Sequence, residues 1–487
     1  PRIILTNKKY LDFMKPNLLF LVIDSLRQDK CIGKQKSSVT PNLDKFIKNG
    51  TFFNQTISTA SITVPSLSSI FTGLHPFECT ILDNDLFNMI PNTHTFIQDL
   101  SDSGYTTSAI IPEALSHTNF VKIFSDVEFF NSFSTLYDGV GEKIINKIRT
   151  YSQETPWFLY VHLEDLHGNA TFNLTDNTKQ ITNFSGKNQY EKMLSAVDVW
   201  LGKILENLDS DNTITIITSD HGSTSADFTD EMLKFNLKND ELRKSNPGTI
   251  YKLGHKIFTS LPESLNPIRK QAANIYTKDK NKKIEKRITP RLDEIDKLNP
   301  TRYQRRLLKK SVVYPNDCYD ENFRAALIFS GYKIPKNKIV KEQISSMDIF
   351  PTILETIEII PKITTRGRSF ASLFFNNAFE EMPVYLDSAS TMKESEYSDT
   401  IGIRTPKFKY FRNRKNPKVD VHLFDLENDP FELDNISEQN HKIVEHLENV
   451  LSQINSTGNF EFKKIHELSD DETEKAKKIL KELGYIK

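Results

Sequence analysis

Asp24, Thr63, Asp220 and His221 are the residues whose types and positions could do chemistry. Asp24 closes the apolar run "NLLFLVID", from Asn17 to Asp24. Asp220 and His221 close a second such run, "TITIITSDHG". Between them, "ASITVPSLSSIFTGLHP" (Ala60 to Pro76) sets small hydroxyl residues ahead of Pro65 and a helical apolar pattern. Carboxylate oxygens with one imidazole nitrogen suit Ca²⁺, Mg²⁺, Mn²⁺ or Zn²⁺. A hydroxyl beside such a cation has its pKa lowered and can attack without a separate strong base. A turn at a helix N-terminus adds free backbone N–H groups that favour an anion. Cation, hydroxyl and anion site together describe attack on a sulfate or phosphate ester.

The elements that must position these groups alternate between strand and helix. "NLLFLVI", "TTSAIIP", "WFLYVHLED" and "TITIIT" read as buried strands. Thr40 or Pro41 starts a helix that Gly50 is expected to cap, and Phe52 and Phe53 open the next strand. Leu67, Ile70 and Phe71 recur at helical spacing until Gly73 stops them. "NQYEKMLSAVDVWLGKILENL" is a further helix pattern. Such alternation predicts an α/β fold with a mostly parallel sheet. Sites in such sheets form at the carboxyl ends of strands, so Asp24 and Asp220–His221 are expected at one rim. From about 226 to 316 lysine and arginine dominate and apolar periodicity fades, which reads as a solvated helical insertion. The pattern divides the chain into a catalytic domain, 1–379, and a C-terminal α+β subdomain, 380–487, with shorter strands and a helical tail.

Lys+Arg number 63 against 64 Asp+Glu, a formal net charge of −1, so no basic field calls for nucleic acid. The three cysteines, Cys31, Cys79 and Cys318, are too widely spaced for a disulfide framework or a metal knuckle and suit a reducing compartment. The apolar run Leu18 to Ile23 is too short to span a bilayer, and no signal peptide is visible. A cytoplasmic location is the expectation.

"NLLFLVIDSLRQD", "TVPSLSSIFTGLHP", "TIITSDHG", "FRAALIFSGYKIPKNKIV…SSMDIFPTILE" and "LFDLENDPFEL" occur in that order. This succession resembles the sulfatase family of the alkaline phosphatase superfamily, from about Asn17 to Leu433. The resemblance implies a large mixed sheet flanked by helices and a smaller C-terminal domain with a four-stranded antiparallel sheet. It also implies one divalent metal, with Asp24, Thr63, Asp220 and His221 as its ligands. Many sulfatases follow the first Asp with a second; here Ser25 holds that place. The family nucleophile, a Cys or Ser converted to formylglycine, falls on Thr63, and its arginine four residues on falls on Leu67. Threonine cannot give formylglycine, and it resembles instead the phosphotransferase and phosphodiesterase branches of the superfamily, where the hydroxyl itself attacks. Ser61 and Ser66 then read as helix-capping groups.

On the same resemblance His167, in "PWFLYVHLEDLHGNA", serves the leaving group. His255, with Lys256 as a rival, matches a later active-site element in "YKLGHK". His162 lies inside a strand pattern and reads as a core histidine. The family's Gly-Lys-Trp-His element is not visible in "SGYTTSAIIPEALSH". A two-zinc arrangement would draw on Asp165, His167 and His255, but the spacing of Asp165 and His167 does not match, and one metal is expected. The reading is a metal-dependent hydrolase or transferase of anionic esters, phosphoester favoured. The alternatives are a sulfuric ester hydrolase without formylglycine and a catalytically inactive sulfatase-like binding protein.

Overall fold

The computed structural model of the chain describes residues 15–83, 86–151, 155–167, 183–244, 291–313, 317–388, 400–456 and 477–478. Strand β1 (Asn17–Ile23) shows how its centre is built. Leu18, Phe20 and Val22 enter one apolar cluster and Leu19, Leu21 and Ile23 another. A strand covered on both faces has no polar side to show, so its sequence is an unbroken apolar run.

The further strands are β2 (Gly50–Ile57), β3 (Thr80–Asp83), β4 (Leu86–Met89), β5 (Thr106–Pro112), β6 (Asp126–Phe130), β7 (Trp157–Leu163), β8 (Thr213–Thr218), β9 (Arg324–Ala325), β10 (Leu327–Gly331), β11 (Lys338–Ser345), β12 (Val384–Ser388), β13 (Thr400–Arg404), β14 (Phe408–Asn413) and β15 (His422–Asp425). The large sheet runs β11-β2-β10-β8-β1-β7-β5-β6, with β9 beside β2. β1 pairs in parallel with β7 and β8, whereas β10 is antiparallel to β8 and β2, so the sheet is mixed.

Helices Thr63–Thr72, Phe96–Asp102 and Ile349–Thr356 supply Leu67, Phe71, Phe96 and Phe350 to the cluster on one face. Helices Pro41–Lys48, Val140–Thr150 and Gln189–Glu206 cover the other through Leu43, Ile144 and Leu194. Gly73 ends its helix in the left-handed region, at φ 65°, with its N–H on Ser69 O at 2.8 Å. Gly50 departs from expectation. Asn49 caps the Pro41–Lys48 helix, and Gly50 opens β2 where a Cβ would lie 2.2 Å from Phe329 O. The close strand approach, not the helix end, requires glycine there.

β12 to β15 form a four-stranded antiparallel sheet. One face packs Val384, Leu386 and Phe411 on Ile57 and Phe323; the other receives Leu447 and Leu451 of helix His441–Ser456. Asp387 N donates to Thr59 O at 2.9 Å and accepts Ser61 N on its carbonyl at 3.2 Å. The C-terminal sheet thus pins the turn that leads into helix Thr63–Thr72.

Residues Asp227–Pro315 form a compact unit of their own. Within it Tyr303 Oη donates to Asp227 Oδ2 at 3.1 Å, and the Arg291 guanidinium lies over Phe235. Among the described residues no helix is long and apolar enough to cross a membrane.

Candidate active site

Three adjacent strands, β8, β1 and β7, end at one rim, and alternation along them selects which side chains meet. On β1 and β7 the residues Leu18, Phe20, Val22 and Phe158, Tyr160 share the face that packs against helix Thr63–Thr72. Continuing with a period of two places Asp24, His162 and Glu164 on that face. Asp24 follows β1, with its N–H on Leu163 O at 2.8 Å. Asp220 and His221 follow β8 after Ser219, whose N–H is tied to Ala326 O.

The structure brings Asp24, Thr63, Asp220 and His221 together. Thr63 Oγ1 is 3.3 Å from Asp24 Oδ2 and 3.4 Å from His221 Nε2. His221 Nε2 is 3.8 Å from Asp24 Oδ1 and 3.4 Å from Asp220 Oδ2. All four residues are buried. Thr63 is the first residue of its helix; Pro65 brings no N–H and Ser66 N donates to Ile62 O at 3.2 Å, so the opening turn's amides without a partner within the helix are those of Thr63 and Val64.

Two hydroxyls read as caps have other duties. Ser66 Oγ donates to Asp220 O at 2.6 Å and meets Ser58 Oγ at 2.9 Å, fixing the loop that carries the acid. Ser61 Oγ donates to Ser388 Oγ at 3.2 Å. The N-cap residue is Ile62, which has no side-chain oxygen. Leu67 is fully buried in the apolar cluster, so no cation stands at that position.

Ser25 adopts φ 65°, uncommon for a residue with a side chain. Its carbonyl accepts Tyr190 Oη at 2.8 Å, its N–H reaches Asp220 Oδ1 at 3.4 Å, and its hydroxyl donates to Asp24 Oδ1 at 2.7 Å. The turn orients two carboxylates at once, a place where such strain is characteristic.

A divalent cation fits these donors. Asp220 Oδ2 is buried and makes no hydrogen bond. His221 Nδ1 lies 2.8 Å from Gly222 O; as the donor there, it leaves Nε2 as a lone pair facing the carboxylates. Burial would raise the Asp24 carboxyl, but His162, His167 and His221 together hold it well below the carboxylate range. Burial, with Asp24 beside it, raises the Asp220 carboxyl. Burial would lower the His221 imidazole, yet Asp220 and Asp24 raise it.

His167 is half-buried, with its backbone N–H on Glu164 O at 2.9 Å and its imidazole close enough to help hold Asp24 low; desolvation lowers the imidazole, and the Asp24 charge opposes this. His255 and Lys256 lie outside the described residues. Asp165 turns away, accepting Leu136 N at 3.0 Å, and burial pushes its carboxyl up to about 7. His162, read from sequence as a core histidine, is fully buried but faces Asp24, with Nε2 3.7 Å from Oδ2. Glu164 had not been singled out. The signal that could have found both is the alternation Phe158, Tyr160, His162, Glu164 beside Asp24 on the neighbouring strand.

The sulfatase profile matches residues 16–359, well over half of the chain. The chain belongs to the sulfatase family. A second profile, N-sulphoglucosamine sulphohydrolase C-terminal, matches residues 316–457. Arylsulfatase K of Gallus gallus is 27% identical over 146 residues, 29% of this chain. A Haemophilus influenzae protein is 24% identical over 214 residues, 43% of this chain. These segments span 27% and 32% of the two relatives' own lengths. Among solved structures, BT4656, in complex with its substrate D-glucosamine-2-N,6-O-disulfate, superposes with a TM-score of 0.61 at 16% identity, covering 92% of this chain and 100% of that one. The phosphonate monoester hydrolase of Agrobacterium radiobacter superposes with a TM-score of 0.59 at 14% identity, covering 91% and 96%. At these identities the structural likeness concerns the fold.

Proposed function

We propose that the chain is a metal-dependent phosphoester hydrolase or transferase in which Thr63 is the nucleophile. The observation that carries the reading is the position of Thr63 Oγ1, within 3.4 Å of both Asp24 Oδ2 and His221 Nε2 at a helix N-terminus. Asp24, Asp220 and His221, with Thr63, would hold a divalent ion. Such an ion supplies Lewis acidity, lowering the pKa of a nearby hydroxyl and drawing charge from ester oxygens.

The remaining steps belong to the chain's own groups. The Thr63 hydroxyl has one proton acceptor in reach that the ion would leave open, Asp24 Oδ2 at 3.3 Å; His221 Nε2, at 3.4 Å, would face the ion. The Thr63 oxygen forms the bond to phosphorus as the ester oxygen departs in line, and His167 gives the departing oxygen a proton. Water, or an acceptor hydroxyl, then gives a proton back to His167 as it attacks phosphorus opposite the Thr63 oxygen, which departs and takes back its own proton from Asp24. The Thr63 and Val64 N–H groups at the helix start are the backbone donors for the equatorial oxygens, since Pro65 has no N–H and Ser66 N is bonded to Ile62 O.

Threonine favours phosphorus over sulfur for a chemical reason. A formylglycine hydrate sheds sulfate by eliminating it from one carbon, with no second attack at sulfur. A threonine ester has no such exit and must be cleaved by attack at the central atom, as phosphothreonine can be. Leu67 agrees, because the arginine that would steady a formylglycine hydrate is replaced by a core side chain.

Wild type is expected to turn over aryl phosphodiesters or phosphomonoesters faster than aryl sulfates. Thr63→Ala should lower kcat by at least about 10³-fold with an unchanged circular dichroism spectrum, and Thr63→Ser should retain part of it. Rapid quench and peptide mass spectrometry should find one phosphoryl group on Thr63. Full activity in Thr63→Ala rules the reading out.

A further inference from the structure

We propose that Tyr190, on helix Gln189–Glu206, is a positioning residue for the rim: acting through the left-handed turn at Ser25, it sets the Asp24 and Asp220 carboxylates toward a common cation. The proposal rests on the metal reading above and deepens it, naming a residue that works on the site through another.

Tyr190 is the second residue of its helix and is buried. Its phenol spans the turn that follows β1. Oη donates to Ser25 O at 2.8 Å and accepts Arg27 N at 3.1 Å. Burial holds the phenol well above the usual tyrosine range, so it keeps its proton and the direction of the first bond is fixed. The helix start is anchored in its turn. Asn188 caps it by accepting Glu191 N at 3.0 Å, and its Nδ2 donates to Ala226 O at 2.9 Å, on the segment after His221.

The backbone that Tyr190 braces is an unfavourable one. Ser25 lies at φ 65°, a region that residues with a side chain keep only where their surroundings over-determine it. The conformation lets one residue reach two acids. Its N–H is 3.4 Å from Asp220 Oδ1, and its hydroxyl donates to Asp24 Oδ1 at 2.7 Å. The angle φ sets how the Ser25 carbonyl stands to its own N–H, so the bonds to Tyr190 and to Asp220 hold together in the left-handed form. The next residues continue the tie. Leu26 O accepts Ser219 Oγ at 2.6 Å, and Arg27 Nη1 donates to Ser223 O at 3.3 Å. The turn after β1 is thus joined to the Asp220 loop on one side and to Tyr190 on the other. Without the Tyr190 hydroxyl, Ser25 O and Arg27 N lose these bonds, and the left-handed form loses a constraint that holds it.

The test separates the brace from mere packing. In full-length protein Tyr190→Phe, which removes only the hydroxyl, should weaken Mn²⁺ binding by about 10-fold in calorimetric titration and lower kcat by at least about 10-fold, with a native circular dichroism spectrum. Two backgrounds show whether the tyrosine acts through the turn. Glycine adopts positive φ at little cost, so on Ser25→Gly the further loss from Tyr190→Phe should shrink to about 2-fold or less. Ser25→Ala also lacks the hydroxyl but keeps a Cβ, so there Tyr190→Phe should again cost about 10-fold. Unchanged Mn²⁺ affinity in Tyr190→Phe, or equal losses on Ser25→Gly and Ser25→Ala, overturns the proposal. So does a Tyr190→Phe protein that fails to fold, because the hydroxyl then serves the scaffold. A wild type that binds Mn²⁺ no better than Tyr190→Phe loses this proposal and keeps the proposed function; one that binds neither Mn²⁺ nor Zn²⁺ loses both.

Discussion

Carboxylates gather in two places, fully buried at the sheet rim and partly buried at Asp320 under the C-terminal sheet, and their surroundings differ. Under the C-terminal sheet, Asp320 receives Arg404 through two bonds, Nε to Oδ1 at 2.9 Å and Nη2 to Oδ2 at 3.0 Å. Lys409 contacts the same carboxylate and Glu432, the latter at 2.9 Å. Arg404 also reaches Gln343 Oε1 at 2.5 Å and Gln55 Oε1 at 3.0 Å. At the sheet rim, Asp24 faces the imidazoles of His162 and His221, Asp220 faces that of His221, and Asp220 Oδ2 makes no hydrogen bond. Fixed guanidinium and ammonium groups complete the first cluster within the chain. The second is assembled from groups that a cation would complete. A buried acid by itself says little; the charge state of its partners separates scaffold from site.

The largest expected effect is at the rim. Asp220→Asn should lower turnover by about 10³-fold or more and weaken binding of Mn²⁺ or Zn²⁺ by about 10–100-fold, measured by titration. Its melting temperature in chelator should not fall, because the substitution removes a buried carboxylate whose Oδ2 has no hydrogen-bond partner. Arg404→Ala should do the reverse. It strips the doubly bonded partner from Asp320 and should cost about 3–5 kcal/mol in denaturant unfolding, while the folded fraction keeps wild-type kcat. If Arg404→Ala leaves stability intact, or Asp220→Asn unfolds the chain, the contrast fails.

A smaller effect sharpens it. Burial alone would raise Asp320, but Arg404 and Lys409 hold its carboxyl well below the ordinary value. The folded state therefore gives up this proton more readily than the unfolded chain. The associated stability is complete above about pH 4 and is lost as pH falls through the folded value. Asp320→Asn, though less stable overall, should show a shallower decline of melting temperature with acid than wild type.

Much of the site was legible before the fold. Asp24 and Asp220–His221 end apolar runs, and Thr63 begins a helix bounded by Pro65 and Gly73, so local pattern suffices to nominate them. His162 and Glu164 were not legible, because a histidine inside an apolar run looks the same whether it packs or faces a site. Ser61 and Ser66 misled for a similar reason. A serine near a helix start is a cap by local rules, and here the partners are Ser388 and the carbonyl of Asp220, far off in sequence. Gly50 looked like a helix cap because its contact with Phe329 lies on a strand that arrives much later in the chain.

The sequence by itself determined the kinds of element, the acids at strand ends and the hydroxyl at a helix start, since periods of 2 and 3.6 residues are written in neighbouring side chains. Only the tertiary structure decided that β8, β1 and β7 lie side by side, which turns separate strand ends into one ring of donors around Asp24. Strand order is settled by hydrogen bonds and packing between segments more than a hundred residues apart, and no local pattern carries that information.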